Sequence, residues 1–289
     1  MQALLHQLLS GIAVGGIYAI VALALVVIYQ ATHHVNFAQG EMATFSTYIA
    51  LELIRDGVPY WAAFVMTVAG SFLIGVAIQS LLMQRLRDAP VLSSVGVFIG
   101  LLLIFNALCG WIWDFTIKSF PSPFKGRPVL GGLLSAQELG STAVTLVVLA
   151  MVYVFFRYTS LGLAMRAAAY NPMSSRLVGI RVDRMLALGW GLAAVIGAIA
   201  GMMVAPIVFL DPNMMTGILL YAFAGALLGG IENPAGAVLG GFAVGVIETL
   251  GGAYLVGAEL RLTLALLIIV GVLLVKPSGL LGRAVVSRV

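Results

Sequence analysis

Charged side chains are scarce: Asp, Glu, Lys and Arg make up 9% of the 289 residues, against 62% hydrophobic residues and a mean hydropathy of +1.11. Soluble domains use about 25% charged residues, so this composition excludes an ordinary water-soluble fold and indicates an integral membrane protein. Cysteine occurs once, at Cys109, which excludes an intrachain disulfide and a thiolate metal cluster. No Lys or Arg precedes the apolar run of "MQALLHQLLSGIAVGG", so the start lacks the basic region of a cleaved signal and is expected to remain as a membrane span. The glycine-rich phosphate loop ending in Lys-Ser/Thr is missing, as are a Ser-His-Asp pattern and His-Glu-x-x-His. The chain therefore carries no ATP site of that kind and no catalytic constellation of its own. The adjacent His33 and His34 would lie about 100° apart on a helix, a poor chelating geometry, and no metal is expected.

What is present is long apolar runs. Stretches without Asp, Glu, Lys or Arg cover 1–40, 57–84, 89–113, 139–156, 185–210, 212–231, 233–247 and 262–275. A crossing of a ~30 Å hydrocarbon core takes about 20 helical residues, and helices satisfy their own backbone in lipid. A further span over about 35–54 carries Glu41 near one end, and the run from 233 continues through Glu248 to about 256. The reading is one all-α polytopic bundle over residues 1–289 with eight or nine spans. Residues 212–231 open on Asp-Pro-Asn and close on Gly-Gly and Asn-Pro, so that segment is either a short or a re-entrant helix. The last run is also short, with Arg261 and Lys276 placed to snorkel outward.

The net charge of +4 reads as topology and not as a nucleic-acid footprint. With 157–184 inside, that side holds ten basic residues (Arg85, Arg87, Arg157, Arg166, Arg176, Arg181, Arg184, Lys276, Arg283 and Arg288) against five outside (Arg55, Lys118, Lys125, Arg127 and Arg261). Nine spans would then put the N-terminus outside and the C-terminus inside. The proline-bearing stretch "WDFTIKSFPSPFKGRPVLGG" reads as a solvated outer connection or a docking face. Glycines paired at four-residue spacing (Gly11/Gly15, Gly197/Gly201, Gly225/Gly229, Gly236/Gly240 and Gly241/Gly245) predict close helix approach, either as packing within the chain or as a subunit interface or mobile helix contact.

Two groups of residues stand out as candidates. The segment "RYTSLGLAMRAAAYNPMSSRLVGIRVDR" (157–184) predicts two short surface helices, the first with Leu161, Ala164, Met165 and Ala168 on one side. Asn171 would cap the second helix with Pro172 in its first turn, and Gly179 would end it. Two readings of this pair stay open, an amphipathic element on lipid headgroups or a docking element for a soluble partner. The second group is acidic: carboxylates at membrane depth are costly and functional by default. Glu41 is either solvated at the cytoplasmic interface or part of a solute pathway, and Glu248 needs either a structural hydrogen bond or a role in translocation. Asn36 and Gly40 flank Phe37 at the start of the second span, where a broken helix end would line a pathway.

Four stretches, in order, carry a family resemblance: "VNFAQGEMATFSTYIA" (35–50), "RYTSLGLAMRAAAYNPMSSRLVGIRVDRM" (157–185), "LLGGIENPAGAVLGGFAVGVIETL" (227–250) and "LLVKPSGLLGR" (273–283). Together they resemble the permease subunits of branched-chain amino acid ABC importers across essentially the whole chain. Lys276-Pro277 departs from the family's usual Arg-Pro, and His33 and His34 precede Asn36 where small or aliphatic residues are commoner. The resemblance implies a multi-pass protein of the bacterial inner membrane that transports and is no enzyme. Its expected partners are a second homologous permease chain, two cytoplasmic ATPase subunits, an extracytoplasmic substrate-binding protein and membrane lipid, with no nucleic acid. No cofactor is implied in this chain, since ATP is used by the partner subunits. By the same resemblance Arg157, Gly162, Arg166, Ala167, Asn171, Pro172, Gly179 and Ile180 form the ATPase contact, and its motif points the same way for Asn36, Phe37 and Gly40, which with Glu41 and Glu248 are the translocation-pathway candidates. The competing reading is an ion-coupled secondary carrier that uses Glu41 or Glu248.

Overall fold

The computed structural model describes residues 2–32, 34–86, 89–126, 128 and 132–282. His33, Arg87, Arg127, Arg283 and Arg288 lie outside the described residues. Apolar runs become helices wherever a cap or a proline starts them. The helices are α1 (Gln2–Thr32), α2 (Gln39–Arg55), α3 (Tyr60–Leu81), α4 (Val91–Trp113), α5 (Ala136–Tyr158), α6 (Ser160–Tyr170), α7 (Pro172–Leu177), α8 (Val182–Val208), α9 (Met214–Gly229), α10 (Pro234–Tyr254) and α11 (Arg261–Val275). Pro59 and Pro90 stand immediately before α3 and α4, and Asn233 caps α10 through the amides of Ala235 and Gly236 with Pro234 behind it. Among the described residues the extended backbone is confined to isolated bridges such as Lys118 with Leu210.

Among the described residues six helices, α1, α3, α4, α5, α8 and α10, are long and apolar enough to cross a membrane. The chain is thus an all-helical, multi-pass membrane protein. Helices α9 and α11 are apolar but only 16 and 15 residues long, and α2 has 17. The six long helices divide by burial. Most of α1 and α8 is enclosed by protein, whereas α3, α4 and α5 leave most of their apolar surface outward, as lipid-facing helices do.

The chain forms two compact units, one from Met1–Val26, Phe124–Ala143 and Gly217–Val289 and the other from Val27–Pro123 and Val144–Thr216. In the first unit α10 has glycine on two faces. One face meets α1 in antiparallel register, with Gly15 against Phe242, Gly11 against Val246 and Gly241 against Ala19. The other meets α9, where a Cβ on Gly229 would overlap the Gly236 carbonyl and one on Gly240 would overlap the Gly225 carbonyl. The backbone then returns. Leu280 and Leu281 donate their amides to the carbonyls of Leu228 and Gly229 at 2.8 and 3.1 Å, closing the C-terminal end of α9, and Asn233 Nδ2 donates to the Leu281 carbonyl at 3.0 Å. Gly230 (φ +111°) and Gly279 (φ +77°) face each other in this return, both in a conformation that side chains disfavour.

In the second unit α8 takes the place of α10. Gly197 and Gly201 lie under Gln39, Ala43 and Thr47 of α2, and Gly191 lies under Phe72 and Val76 of α3. All five predicted glycine pairs therefore sit at helix crossings inside the chain. A methyl group at Gly225, Gly229, Gly240, Gly241 or Gly245 would overlap backbone of the facing helix, whereas one at Gly191 or Gly197 would meet side chains. Gly229→Ala and Gly241→Ala should each destabilise the protein by about 1–3 kcal/mol, the usual cost of overpacking. Gly96→Ala and Gly100→Ala, whose Cβ positions meet nothing within 4 Å, should leave the melting temperature in detergent unchanged or slightly raised.

Candidate functional site

Helix α2 is too polar for lipid and is held inside protein. Gln39, Glu41, Thr44, Ser46 and Thr47 are all buried. The hydroxyls of Thr44, Ser46 and Thr47 donate to the carbonyls four residues back, at Gly40, Met42 and Ala43, which removes them from the list of groups needing a partner. Gln39 reaches α8, donating from Nε2 to the Ala193 carbonyl at 2.8 Å. Before the helix, Asn36 accepts the Ala38 amide at 3.0 Å and is fully buried, whereas Phe37 is exposed. The second span thus starts as a helix only at Gln39, and residues 34–38 are non-helical.

Glu41 stands in the first turn of α2, 4% exposed. Its neighbours come from α4 and from the chain leading into α9. Asn106 Nδ2 lies 3.4 Å from Glu41 Oε2, 3.2 Å from the Pro212 carbonyl and 2.9 Å from Asn213 Oδ1. Thr216 Oγ1 lies 3.5 Å from Glu41 Oε1. Asn106 precedes Trp113, the end of α4, by seven residues, or about 10 Å along the axis. Glu41 therefore packs against α4 about two turns before its C-terminal end.

The turn that brings Pro212 and Asn213 to this point is built under strain. Asp114 and Phe209, which follow α4 and α8, both have positive φ (64° and 65°) with extended ψ. That region is essentially glycine's and costs of order 1–3 kcal/mol for other residues. A two-bond bridge between Lys118 and Leu210 (2.8 and 2.9 Å) lies just beyond both residues. Asp211 Oδ1 then takes the Asn213 amide at 2.7 Å and turns the chain into α9.

The other carboxylate has a different setting. Glu248, 5% exposed on α10, pairs with Arg261 at 3.3 Å and accepts the Thr249 hydroxyl at 3.4 Å and the Tyr18 hydroxyl. Tyr18 stacks on Tyr221 with centroids 4.9 Å apart. Arg261 was expected to snorkel outward; instead it folds over Gly252 onto Glu248, because a buried carboxylate offers it more than headgroups do.

The 157–184 segment folds as α6 and α7 separated at Asn171. Thr159 caps α6 through the Gly162 amide, Asn171 caps α7 through the Ser174 amide at 3.0 Å, and Gly179 (φ +85°) follows α7. The buried stripe of α6 is Gly162, Met165 and Ala168, and Leu161 is exposed, contrary to its expected place on the inner face. The reason is the sharp corner after α5. A Cβ on Gly162 would overlap the Phe155 carbonyl, so Gly162 itself must face inward and Leu161 turns out. Arg157, Arg166, Asn171, Pro172 and Gly179 are exposed, while Ala167 and Ile180 are half-buried. Leu163, Tyr170, Met173, Leu177 and Val178 add a large exposed apolar surface among the arginines. Arg176 pairs with Asp183 at 3.6 Å, tying α7 to α8. A cavity of about 20 Å³ between Arg166, Met165, Met185 and Gly189 has room for a water and not for a solute.

Of the pathway candidates, the structure groups Asn36, Gly40 and Glu41 in and around the first turn of α2 and leaves Phe37 exposed nearby. Glu248 belongs to a separate, paired cluster in the other unit. Sequence reading missed Asn106, Asn213 and Thr216. The available signal was Asn106, a lone amide inside a charge-free run of 89–113.

The chain matches the family described as "Branched-chain amino acid transport system / permease component" over residues 7–273. It is similar to the high-affinity branched-chain amino acid transport system permease protein LivH of Escherichia coli, 28% identical over 99% of this chain and 97% of that one. It is also similar to the corresponding protein BraD of Pseudomonas aeruginosa, 31% identical over 99% of this chain and 98% of the relative. Among solved structures, a chain of PsaBC from Streptococcus pneumoniae in complex with Fab shares the fold, with a TM-score of 0.52 at 13% identity over 93% of this chain and 91% of that one.

The Glu248–Arg261 pair makes a thermodynamic cycle possible. Arg261→Leu alone should destabilise by about 1–3 kcal/mol, because Glu248 is left buried without its cation. Adding Glu248→Gln should recover most of the loss, read as a coupling between the two substitutions in thermal melts.

Proposed function

The chain belongs to the family of permease components of branched-chain amino acid transport systems, and from that membership we propose that it is the transmembrane subunit of an ABC importer for branched-chain amino acids or related small polar solutes. It forms the translocation pathway and has no chemistry of its own. A second homologous permease chain, two cytoplasmic ATPase subunits and an extracytoplasmic binding protein complete the importer in the bacterial inner membrane, and ATP is used by the ATPase subunits. We count nine elements at membrane depth, α1 to α5 and α8 to α11, with the N-terminus outside and α6, α7 and the C-terminus inside. The short α2 and α9 work as buried half-helices, a device that transport folds use where backbone lines a cavity.

The observation that carries the coupling role is the exposed face of α6 and α7, where Arg157 and Arg166 stand among Leu163, Tyr170, Met173 and Leu177. A connector that only reversed the chain would have no use for such a surface, which suits a groove in a soluble partner. Gly162 contributes by making the corner that points α6 outward, and Asn171 and Pro172 by fixing the angle between the two helices. Ala167, Gly179 and Ile180 complete the contact. An ion-coupled carrier is disfavoured because Glu248, one of its two carboxylates, is already neutralised by Arg261.

Purification of the tagged chain from its native membrane in mild detergent should recover an ATPase subunit. Arg166→Glu and Gly179→Leu should reduce that recovery and ATP-driven leucine uptake about tenfold or more, the size of a lost interface anchor, while the chain stays folded in the membrane. A chain that purifies alone and still moves leucine in vesicles without ATP would overturn the proposal.

A further inference from the structure

We propose that Glu41, Asn106, Pro212, Asn213 and Thr216 form a subsite that binds the primary ammonium group of a passing zwitterionic solute. This rests on the reading of the chain as a permease, and names which group of the solute is recognised and by what.

Hydrogen counting leads to the assignment. The Asn106 amide nitrogen sits among three acceptors, Asn213 Oδ1 at 2.9 Å, the Pro212 carbonyl at 3.2 Å and Glu41 Oε2 at 3.4 Å. An amide carries two hydrogens and an ammonium three. One of the three acceptors is therefore always left short by Asn106. The carboxylate is the one served worst. Its two contacts, 3.4 Å from the Asn106 amide and 3.5 Å from the Thr216 hydroxyl, exceed the 2.7–3.2 Å of ordinary N–H···O and the 2.5–3.0 Å of O–H···O bonds, although Glu41 is only 4% exposed. Among the described residues no lysine, arginine or histidine pairs with it. Glu248, equally buried, has its arginine, so the absence at Glu41 is not a general property of the chain's carboxylates.

The subsite is also reachable. Asn213 and Thr216 are exposed while Glu41 forms the floor. Its walls are fixed by different elements: α2, which is locked on α8 by Gln39, the middle of α4, and the strained turn held by the Lys118–Leu210 bridge. An incoming ammonium would take the Glu41 carboxylate and the Pro212 and Asn213 oxygens, and Asn106 would swing its amide toward the solute. A charge placed on rigid elements selects a cationic group more sharply than one on a mobile loop.

The test reads local charge and does not depend on transport. In a Cys109→Ala background, Asn213→Cys in the purified protein is alkylated with methanethiosulfonate reagents that differ only in charge: aminoethyl (ammonium), sulfonatoethyl (anion) and hydroxyethyl (neutral). The ammonium-to-sulfonate rate ratio should fall about tenfold on Glu41→Gln, one charge interaction in a partly wet site, and return on Glu41→Asp. An unchanged rate with the neutral reagent shows that the pocket has kept its shape. A ratio that Glu41→Gln does not move, a ratio that leucine at fixed ionic strength does not lower, or failure of the neutral reagent to react at all would each overturn the subsite. Failure of the permease reading would show separately, as loss of ATP-driven uptake in the assembled wild type with the charge selectivity of labelling intact.

Discussion

Close approach of helix backbones is the constraint from which the rest follows. Lipid chains are as apolar as leucine, so helices at membrane depth gain little from burying leucine against each other, and association rests on packing and polar contacts. Here each compact unit is organised around one glycine-faced helix. Helix α10 presents Gly241 and Gly245 to α1 and Gly236 and Gly240 to α9. Helix α8 presents Gly191 to α3 and Gly197 and Gly201 to α2. Neither helix has room for a methyl group at these points, so both crossings have a fixed depth and register. That rigidity matters because carboxylates ride on the packed helices. Glu41 is two residues before Ala43 at the α2–α8 crossing, and Glu248 is about one turn beyond Gly245 at the α1–α10 crossing.

Burial of polar side chains then becomes affordable in α2. A helix with Gln39, Glu41, Thr44, Ser46 and Thr47 in its first nine residues would be expensive in contact with lipid. Enclosed by α3, α4 and α8, it places the hydroxyls of Thr44, Ser46 and Thr47 on its own carbonyls and donates Gln39 Nε2 to the Ala193 carbonyl. The same enclosure lets residues 34–38 remain non-helical, since backbone of that kind is tolerated at depth only within protein or beside a water-filled cavity. The start of α9 obeys the same rule, with Asp211 and Asn213 turning the chain.

Much of this architecture was legible in the sequence, and the misses have physical causes. Runs without charge marked the long helices because a charge at depth is costly, and the Asn171-Pro172 and Asn233-Pro234 pairs marked helix starts because both residues suit those positions. The glycine pairs marked crossings but not which crossings, since spacing along one helix does not say what lies opposite. Leu161 was misplaced because helical periodicity ignores the corner at Gly162, where backbone sterics decide which side faces in. Arg261 was misread because snorkelling rules treat a basic residue beside lipid alone, and Glu248 is thirteen residues away with a helix end between them. Asn106, Asn213 and Thr216 left the faintest trace. They are uncharged, on separate elements, and become a cluster only when α4 and the turn before α9 are brought to Glu41. The motifs at 227–250 and 273–283 look independent in the sequence, yet they meet as one structure, with Gly279 on Gly230 and Leu280 on Leu228.

The two buried carboxylates differ in how their charge is met. Glu248 is matched by Arg261, Thr249 and Tyr18, and the pair ties α10 to the start of α11. A matched buried pair is costly to break and selective against alternatives, but it offers nothing to a solute because both charges are already spent on each other. Glu41 is surrounded by amide and hydroxyl donors too few and too distant for the oxygens present. A group in that condition is stabilised most by whatever brings a cation with hydrogens to donate, and a solute carrying an ammonium group does so only while it is passing. On the proposal that Glu41 receives a solute's ammonium group, its incomplete partnering, held in place by tight glycine crossings and a strained turn, suits a transient binding step, since a better-satisfied carboxylate would give the solute no reason to stop there.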